Sequence, residues 1–201
     1  MPEISPPLGR RERNKQAKMD RIVAAAGELF SEYGVDDVTT QQIADKADIG
    51  AGTLFLYAKS KGELLLMVQN SSYADSLVRG RTAAEKTPDI LEAVMAILTE
   101  VVHCNRIQVD NGRTYLREMV FGDPEEPHRR EALGLSFQTE EAVAVVLQRD
   151  QRINSEEAAT RAHVISAIMF LTMSATGNAA KTIEELLADI RTQIQVLLPT
   201  A

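Results

Sequence analysis

The chain has 201 residues, is 44% hydrophobic and carries a formal net charge of −7 at pH 7, enough length and apolar content for one large globular domain or two small ones with a sizeable core. Its one cysteine, Cys104, excludes an intramolecular disulfide and fits a reducing cytoplasm; no apolar run reaches the length of a membrane span, and the short Pro-rich stretch from Pro2 to Gly9 is not a signal-peptide core. The acidic balance argues against a nucleic-acid binder only if it is evenly spread, and it is not: through Lys61 there are 9 Lys/Arg and 9 Asp/Glu, and from Gly62 onward 13 against 20.

In chain order, residues 1–12 read as a disordered tail with a basic end. The basic run from Arg10 to Lys18 is either a solvated charged segment or an arm that reaches phosphates or a minor groove. A first helix is expected over 13–33, because Ile22, Ala25, Ala26, Leu29 and Phe30 recur at spacings of three and four, with Gly34 as its left-handed stop. Thr39 or Thr40 caps a second helix, Thr40 to Ala47, whose Ile43, Ala44 and Ala47 share a face. Asp48 falls where the chain must reverse, Ile49 plugs the gap, and a short helix follows over Thr53–Tyr57 with Leu54 inward. Two short helices about a sharp turn are the layout of a helix-turn-helix, whose second helix enters the DNA major groove.

Thr40, Ile43, Ala44, Ala47, Gly52, Thr53, Leu54, Tyr57, Ser60, Lys61, Leu64 and Leu65 follow the pattern T-x-x-x-I-A-x-x-A-G-V-S-x-G-T-L-Y-x-Y-F-x-S-K-E-x-L-L, and here the chain resembles the TetR family of bacterial transcriptional regulators. It departs from that pattern at Asp48, Gly50-Ala51, Leu56 and Ala58, with Phe55 for the usual Tyr; the losses at Gly50, Ala51 and Leu56 remove polar contacts to phosphate or base. The resemblance implies an all-α fold of about nine helices, divided into a three-helix DNA-binding head (13–61) and a helical ligand-binding and dimerisation body (62–201). It implies a repressor that leaves a palindromic double-stranded DNA operator when a small-molecule effector binds, and a homodimer through the last two helices. By motif position it implies DNA contact at Thr40, Gly52, Thr53, Leu56, Tyr57 and Lys61, to which the basic charges add Arg10, Arg11 and Lys59.

Ser60-Lys61-Gly62-Glu63 is a capping box, so a fourth helix starts there and links head to body, to about Val78, with a loop over 82–86. Thr87-Pro88 marks a fifth helix, apolar over a wide arc from Ile90 to Val102. Asn111-Gly112 reads as a turn; Tyr115 to Phe121 is a short helix ended by Gly122-Asp123-Pro124; and a helix from about His128 to Arg149 follows Pro127 in a loop. Ser155 opens a helix to about Gly177, and a second capping box, Thr182 to Glu185, opens the last. Ala158, Ala159, Ala162, Ala167 and Ala175 would let helices approach closely at a dimer interface.

Met95, His103, Tyr115, Met119, Phe121, Phe137, His163, Phe170 and Met173 are candidate lining for an effector pocket, against the plainer reading of each as core. His103-Cys104 with His163 has no metal-ligand spacing, and there is no nucleophile elbow, phosphate loop or paired catalytic motif, so neither a metal, a cofactor nor an enzyme is expected. The alternative is a helical ligand-binding or interaction protein whose head has lost specific DNA binding.

Overall fold

A computed structural model describes residues 9–199. Among them the regular structure is nine α-helices and one 3₁₀ turn, with no strand: α1 Arg10–Tyr33, α2 Thr40–Lys46, α3 Ala51–Leu54, α4 Lys61–Glu85, α5 Ile90–Arg106, α6 Val109–Phe121, α7 Pro127–Leu147, α8 Ser155–Ser174, the turn Thr176–Asn178, and α9 Ile183–Gln195. None of these helices is long and apolar enough to cross a membrane.

The head forms where its apolar spacing puts it. Ile22, Ala25, Ala26, Leu29 and Phe30 make the buried stripe of α1 and meet Ile43, Ala44, Ala47 and Leu54 from the two short helices. Thr39 caps α2 through a reciprocal box: its hydroxyl accepts from Gln42 N–H at 3.2 Å and its own N–H donates to Gln42 Oε1 at 2.8 Å. Asp48 turns the chain at φ 54°, the one positive-φ non-glycine residue described, and Ile49 N–H then bonds back to Ala44 O at 3.0 Å. The helix after it begins earlier than expected. Gly50 is its N-cap, Ala51–Leu54 is its single α-helical turn, and Phe55 to Ala58 continue as a turn, with Tyr57 and Ala58 N–H both bonding to Leu54 O. Leu54 is fully buried, so truncation to Ala there would cost about 2–5 kcal/mol and unseat the turn. Ala58, in place of a bulky aromatic, is also buried.

In the body α4 is the central post. It packs most extensively on α5 and α7 and also meets α1 and α6. α8 lies between α7 and α9, and one apolar cluster runs from Ile22 in the head to Ile194 in α9. Several boundaries differ from the periodicity reading, for reasons of core packing or capping, while α8 opens at Ser155 as expected. α4 continues through 82–85, where a loop was expected, because Ala84 still has a core to face. Asp89, not the Thr87-Pro88 pair, caps α5; Glu126 caps α7, making Pro127 its first residue; Asn154 caps α8. Residues 10–12 are helical, so the basic run belongs to α1; residues 1–8 of the expected tail lie outside the described residues.

The largest departure is at Asn111-Gly112. They do not form a turn but sit buried in the first turn of α6, capped by Gln108. Gly112 is needed there because a Cβ would fall 2.0 Å from Asn105 O, the point where the end of α5 crosses the start of α6. Asn111 reaches the head: its Nδ2 donates to Phe30 O at 2.8 Å and its Oδ1 accepts from Val35 N–H at 2.7 Å. Both partners are main-chain groups at the end of α1, where Gly34 turns at φ 83°, ψ 153°, a region open essentially to glycine alone.

Candidate nucleic-acid interface and body cavity

At the free end of the head, α1 and the helix-turn-helix open onto one cleft. Its walls are Arg10, Arg11, Asn14, Lys15 and Lys18 from α1, with Glu12 as the single acid among them, and Thr53, Leu56 and Tyr57 from the reading turn. Arg11, Lys15 and Lys18 follow helical spacing, so one side of α1 carries the charge. With Arg10 they have no acidic partner within salt-bridge distance among the described residues, whereas Arg21 faces Asp48 at 3.5 Å and Lys46 faces Glu28 at 2.7 Å. The cations nearest the reading turn are therefore the ones left for an external anion.

The expected DNA residues divide as follows. Arg10, Arg11, Thr53, Leu56 and Tyr57 share the cleft. Thr40 is the first residue of α2, half-buried, with the unbonded N–H expected of a first turn. Gly52 is exposed with nothing within 4 Å of an added Cβ, so nothing inside the protein requires glycine there. The Lys59 side chain is exposed, while its N–H is taken by the Glu63 carboxylate. Lys61 turns toward the chain leaving α1. Its ammonium donates to Val35 O at 2.7 Å and Asp36 O at 3.0 Å, because it starts α4 beside the chain leaving α1. It closes the head, with at most one N–H left for a phosphate. Phe55 is 51% exposed, and Leu56 beside it is 83% exposed. The loss of helix after Leu54 turns both outward, which no periodicity could show.

The body holds a cavity of about 30 Å³ between α4, α5, α6, α7 and α8, room for one water. Of the residues expected to line it, Tyr115, Met119, Phe170 and Met173 do. The rest do not line it. Met95 is buried but faces the α5–α9 groove instead. His103 is exposed at the last turn of α5. Phe121 is 79% exposed at the end of α6, and Phe137 is exposed on the outer side of α7. His163 lies on the outside of α8, its Nδ1 3.2 Å from the Glu140 carboxylate. Gln69, Tyr73, Cys104, Asn105, Ser136, Ser166 and Met169 line the cavity without having been expected. Periodicity gives a helix its apolar side; it does not say which part of that side meets a gap.

The cavity wall is polar in places but uncharged. Tyr115 donates to Asn70 Oδ1 at 2.9 Å; Asn70 Nδ2 donates to His128 O and Glu131 Oε2, both at 2.9 Å; Tyr73 and Thr139 share a hydrogen bond at 2.9 Å. The two tyrosine rings meet edge to face at 6.4 Å. Burial pushes the Tyr73 phenol up to about 12, against the Thr139 hydrogen bond, and raises Tyr115 and the Cys104 thiol as well. All three stay neutral at ordinary pH. The described residues hold no group of three or more His, Cys, Asp or Glu placed to bind a metal.

Comparison with known proteins bears on both regions. Residues 22–68 match the family described as "Bacterial regulatory proteins, tetR family". No curated protein matches the sequence. Among solved structures, a TetR transcriptional regulator from Rhodococcus sp. RHA1 is similar at TM-score 0.70, with 18% identity over 92% of this chain and 97% of that one. The FadR repressor of Thermus thermophilus, solved in complex with lauroyl-CoA, is similar at TM-score 0.69, with 20% identity over 90% and 96%. The fatty acid degradation regulator FadR of Bacillus halodurans is similar at TM-score 0.61, with 14% identity over 94% and 96%.

Proposed function

We propose a homodimeric DNA-binding regulator, a repressor that reads a palindromic operator and releases it when a small molecule enters the body; the match of residues 22–68 to the tetR family and the fold shared with TetR regulators support this. The observation that carries this is the shared cleft. Cations of α1 without an acidic partner and the residues of the reading turn open on the same side of a head whose charges sum to zero as a whole. Arg10, Arg11, Lys15 and Lys18 would hold phosphates, and Thr53 and Tyr57 would add hydrogen bonds at the groove edge. Phe55 and Leu56 would offer apolar contact, as to a thymine methyl, and Gly52 would leave room for the duplex backbone.

Two heads are needed because one reads only a few base pairs, and two-fold partners place them about 34–36 Å apart on one DNA face. An exposed apolar stripe on α8, with Val164, Ala167 and Leu171, supports pairing through the last two helices. Ala158 and Ala162 belong to the chain's own core, so Ala159 and Ala167 are the small residues left for close approach.

The effector is read from the cavity: mostly apolar, neutral, and walled by methionines that can re-pack. That one similar regulator was solved with lauroyl-CoA favours a ligand with a long apolar part. Release follows if the ligand binds better to a head spacing that misses adjacent grooves; equal affinity for both arrangements would release nothing.

The test is selection of random duplex DNA on the purified protein at about 0.15 M salt, where non-specific phosphate binding is already weakened. An enriched palindrome with half-sites one turn apart is the expected outcome. Weak, sequence-blind binding with a shallow salt slope would favour an interaction protein docking through the exposed Phe55–Leu56 pair instead.

A further inference from the structure

The cavity does not end inside the body. Phe170 on α8 lines it and also lines a surface groove of about 340 Å³ along the α6–α8 seam. Phe170 is the residue that the two spaces share. Tyr115, Leu116 and Met119 of α6 face inward, while Arg113, Arg117 and Phe121, four residues apart, face the groove. The charged groups of the groove are Asp36, Asp110, Arg113 and Arg117. No ion pair joins either aspartate to either arginine. Arg113 holds Ser174 O at 3.3 Å and the Thr176 hydroxyl at 2.8 Å, neutral partners both, and Arg117 has only the Glu118 carboxylate at 3.6 Å.

The interior sets a complementary condition. Its titratable residues, Tyr73, Tyr115 and Cys104, are all held neutral by burial, and a carboxylate or phosphate taken in there would lose its hydration with no counter-charge. An apolar chain meets no such cost. A volume of about 30 Å³ also means that any chain must push side chains aside. The three methionines 119, 169 and 173 and the Phe170 ring are the mobile ones.

We propose that the effector is an amphiphile with one anionic end. Its apolar chain displaces Phe170 and fills the cavity, and its anionic end stays in the seam groove on Arg117 and Arg113. This rests on the effector reading of the cavity and narrows it to a chemical class. The anion is either the carboxylate of a free acid or the phosphates of a thioester carrier, which a guanidinium pair serves alike. Seating that end would also brace α6 against α8, and α6 is the helix whose Asn111 grips the end of α1.

Calorimetric titration of the full-length dimer with decanoate, decanoyl-CoA and 1-decanol tests this, with Arg117→Gln as the variant because Arg117 is exposed and supports no other element. Decanoate or decanoyl-CoA should bind at least about tenfold more tightly than the alcohol, and Arg117→Gln should remove about that factor while leaving the alcohol unchanged. Whichever anion loses more in the variant is the better-matched source. Equal affinity for acid, thioester and alcohol, unmoved by Arg117→Gln, would overturn the anionic-end assignment and leave the cavity reading standing. Binding of none of the three would overturn both. Arg117→Gln should leave operator affinity without amphiphile unaltered; a loss there would mean that the residue serves the head, and would count against the proposal.

Discussion

Lys15 and Lys61 look alike in the sequence, both basic and both beside the helix-turn-helix, yet the structure separates them. Lys15 lines the open cleft with no carboxylate partner, whereas Lys61 donates to two carbonyl oxygens of the chain leaving α1. Lys15→Ala should therefore weaken binding to all DNA sequences and lower the salt slope by about 0.9 per head, about 1.8 for a dimer, with an unchanged melting temperature. Lys61→Ala leaves the buried Val35 carbonyl without its donor and should destabilise the protein by about 1–3 kcal/mol while moving the slope little. Titrating both variants against salt and heat checks this, and the reverse pattern would put Lys61 on phosphate after all. The residue types of the head were legible because charge and motif position are local; the partner of Lys61 was not, since it lies 26 positions back in the chain. Tyr73 gives a pH prediction of the same kind. Its folded pKa is raised to about 12 by burial, so the neutral ring contributes stability that holds below the unfolded value of about 10 and is lost as pH climbs through 12. Tyrosinate absorbance should show it titrating about two units late; a transition near 10 in the still-folded protein would mean that the ring is solvated.

At the level of elements, α6 does more than its length suggests. Its first turn grips the end of α1 through Asn111, its middle walls the cavity with Tyr115, Leu116 and Met119, and Arg113 holds the chain between α8 and α9. Arg106, buried at the end of α5, grips the same connection at the carbonyls of Asn178, Ala179 and Lys181, and burial lowers its pKa with no carboxylate to compensate. Asn111→Ala should strand the buried Val35 N–H, while Phe30 O keeps Gly34 N–H at 3.0 Å, and cost about 1–3 kcal/mol. It should also loosen the tie between cavity and head, so that effector still binds but shifts operator affinity less. Full effector response in a folded Asn111→Ala protein would place the coupling on α4 alone. The sequence marks Asn111-Gly112 as a turn because those residues favour turns in isolation. They stand in a helix because Gly112 admits Asn105 against the backbone and Asn111 finds its bonds in the head.

For the whole molecule the question is what covers the outside of α8. Val164, Ala167 and Leu171 lie exposed along one side, and His163 beside them meets Glu140 of α7 at 3.2 Å. Leu171→Glu should turn a dimer into monomers in sedimentation and abolish operator binding while each monomer keeps its helical content, since the residue supports nothing within the chain. A dimer that survives it would move the interface elsewhere. The sequence by itself determined the all-α class, the helix-turn-helix with its capped starts, and the basic side of α1, because these depend on spacing, capping chemistry and charge within a few turns of one helix. Only the tertiary structure decided that the reading helix stops after Leu54 and exposes Phe55, that Lys61 closes the head, and that the cavity is walled by Tyr73 and Met169 but not by His103 or Phe137. Each of those depends on which distant helix lies opposite, and neither the period of a helix nor the identity of a residue carries that information.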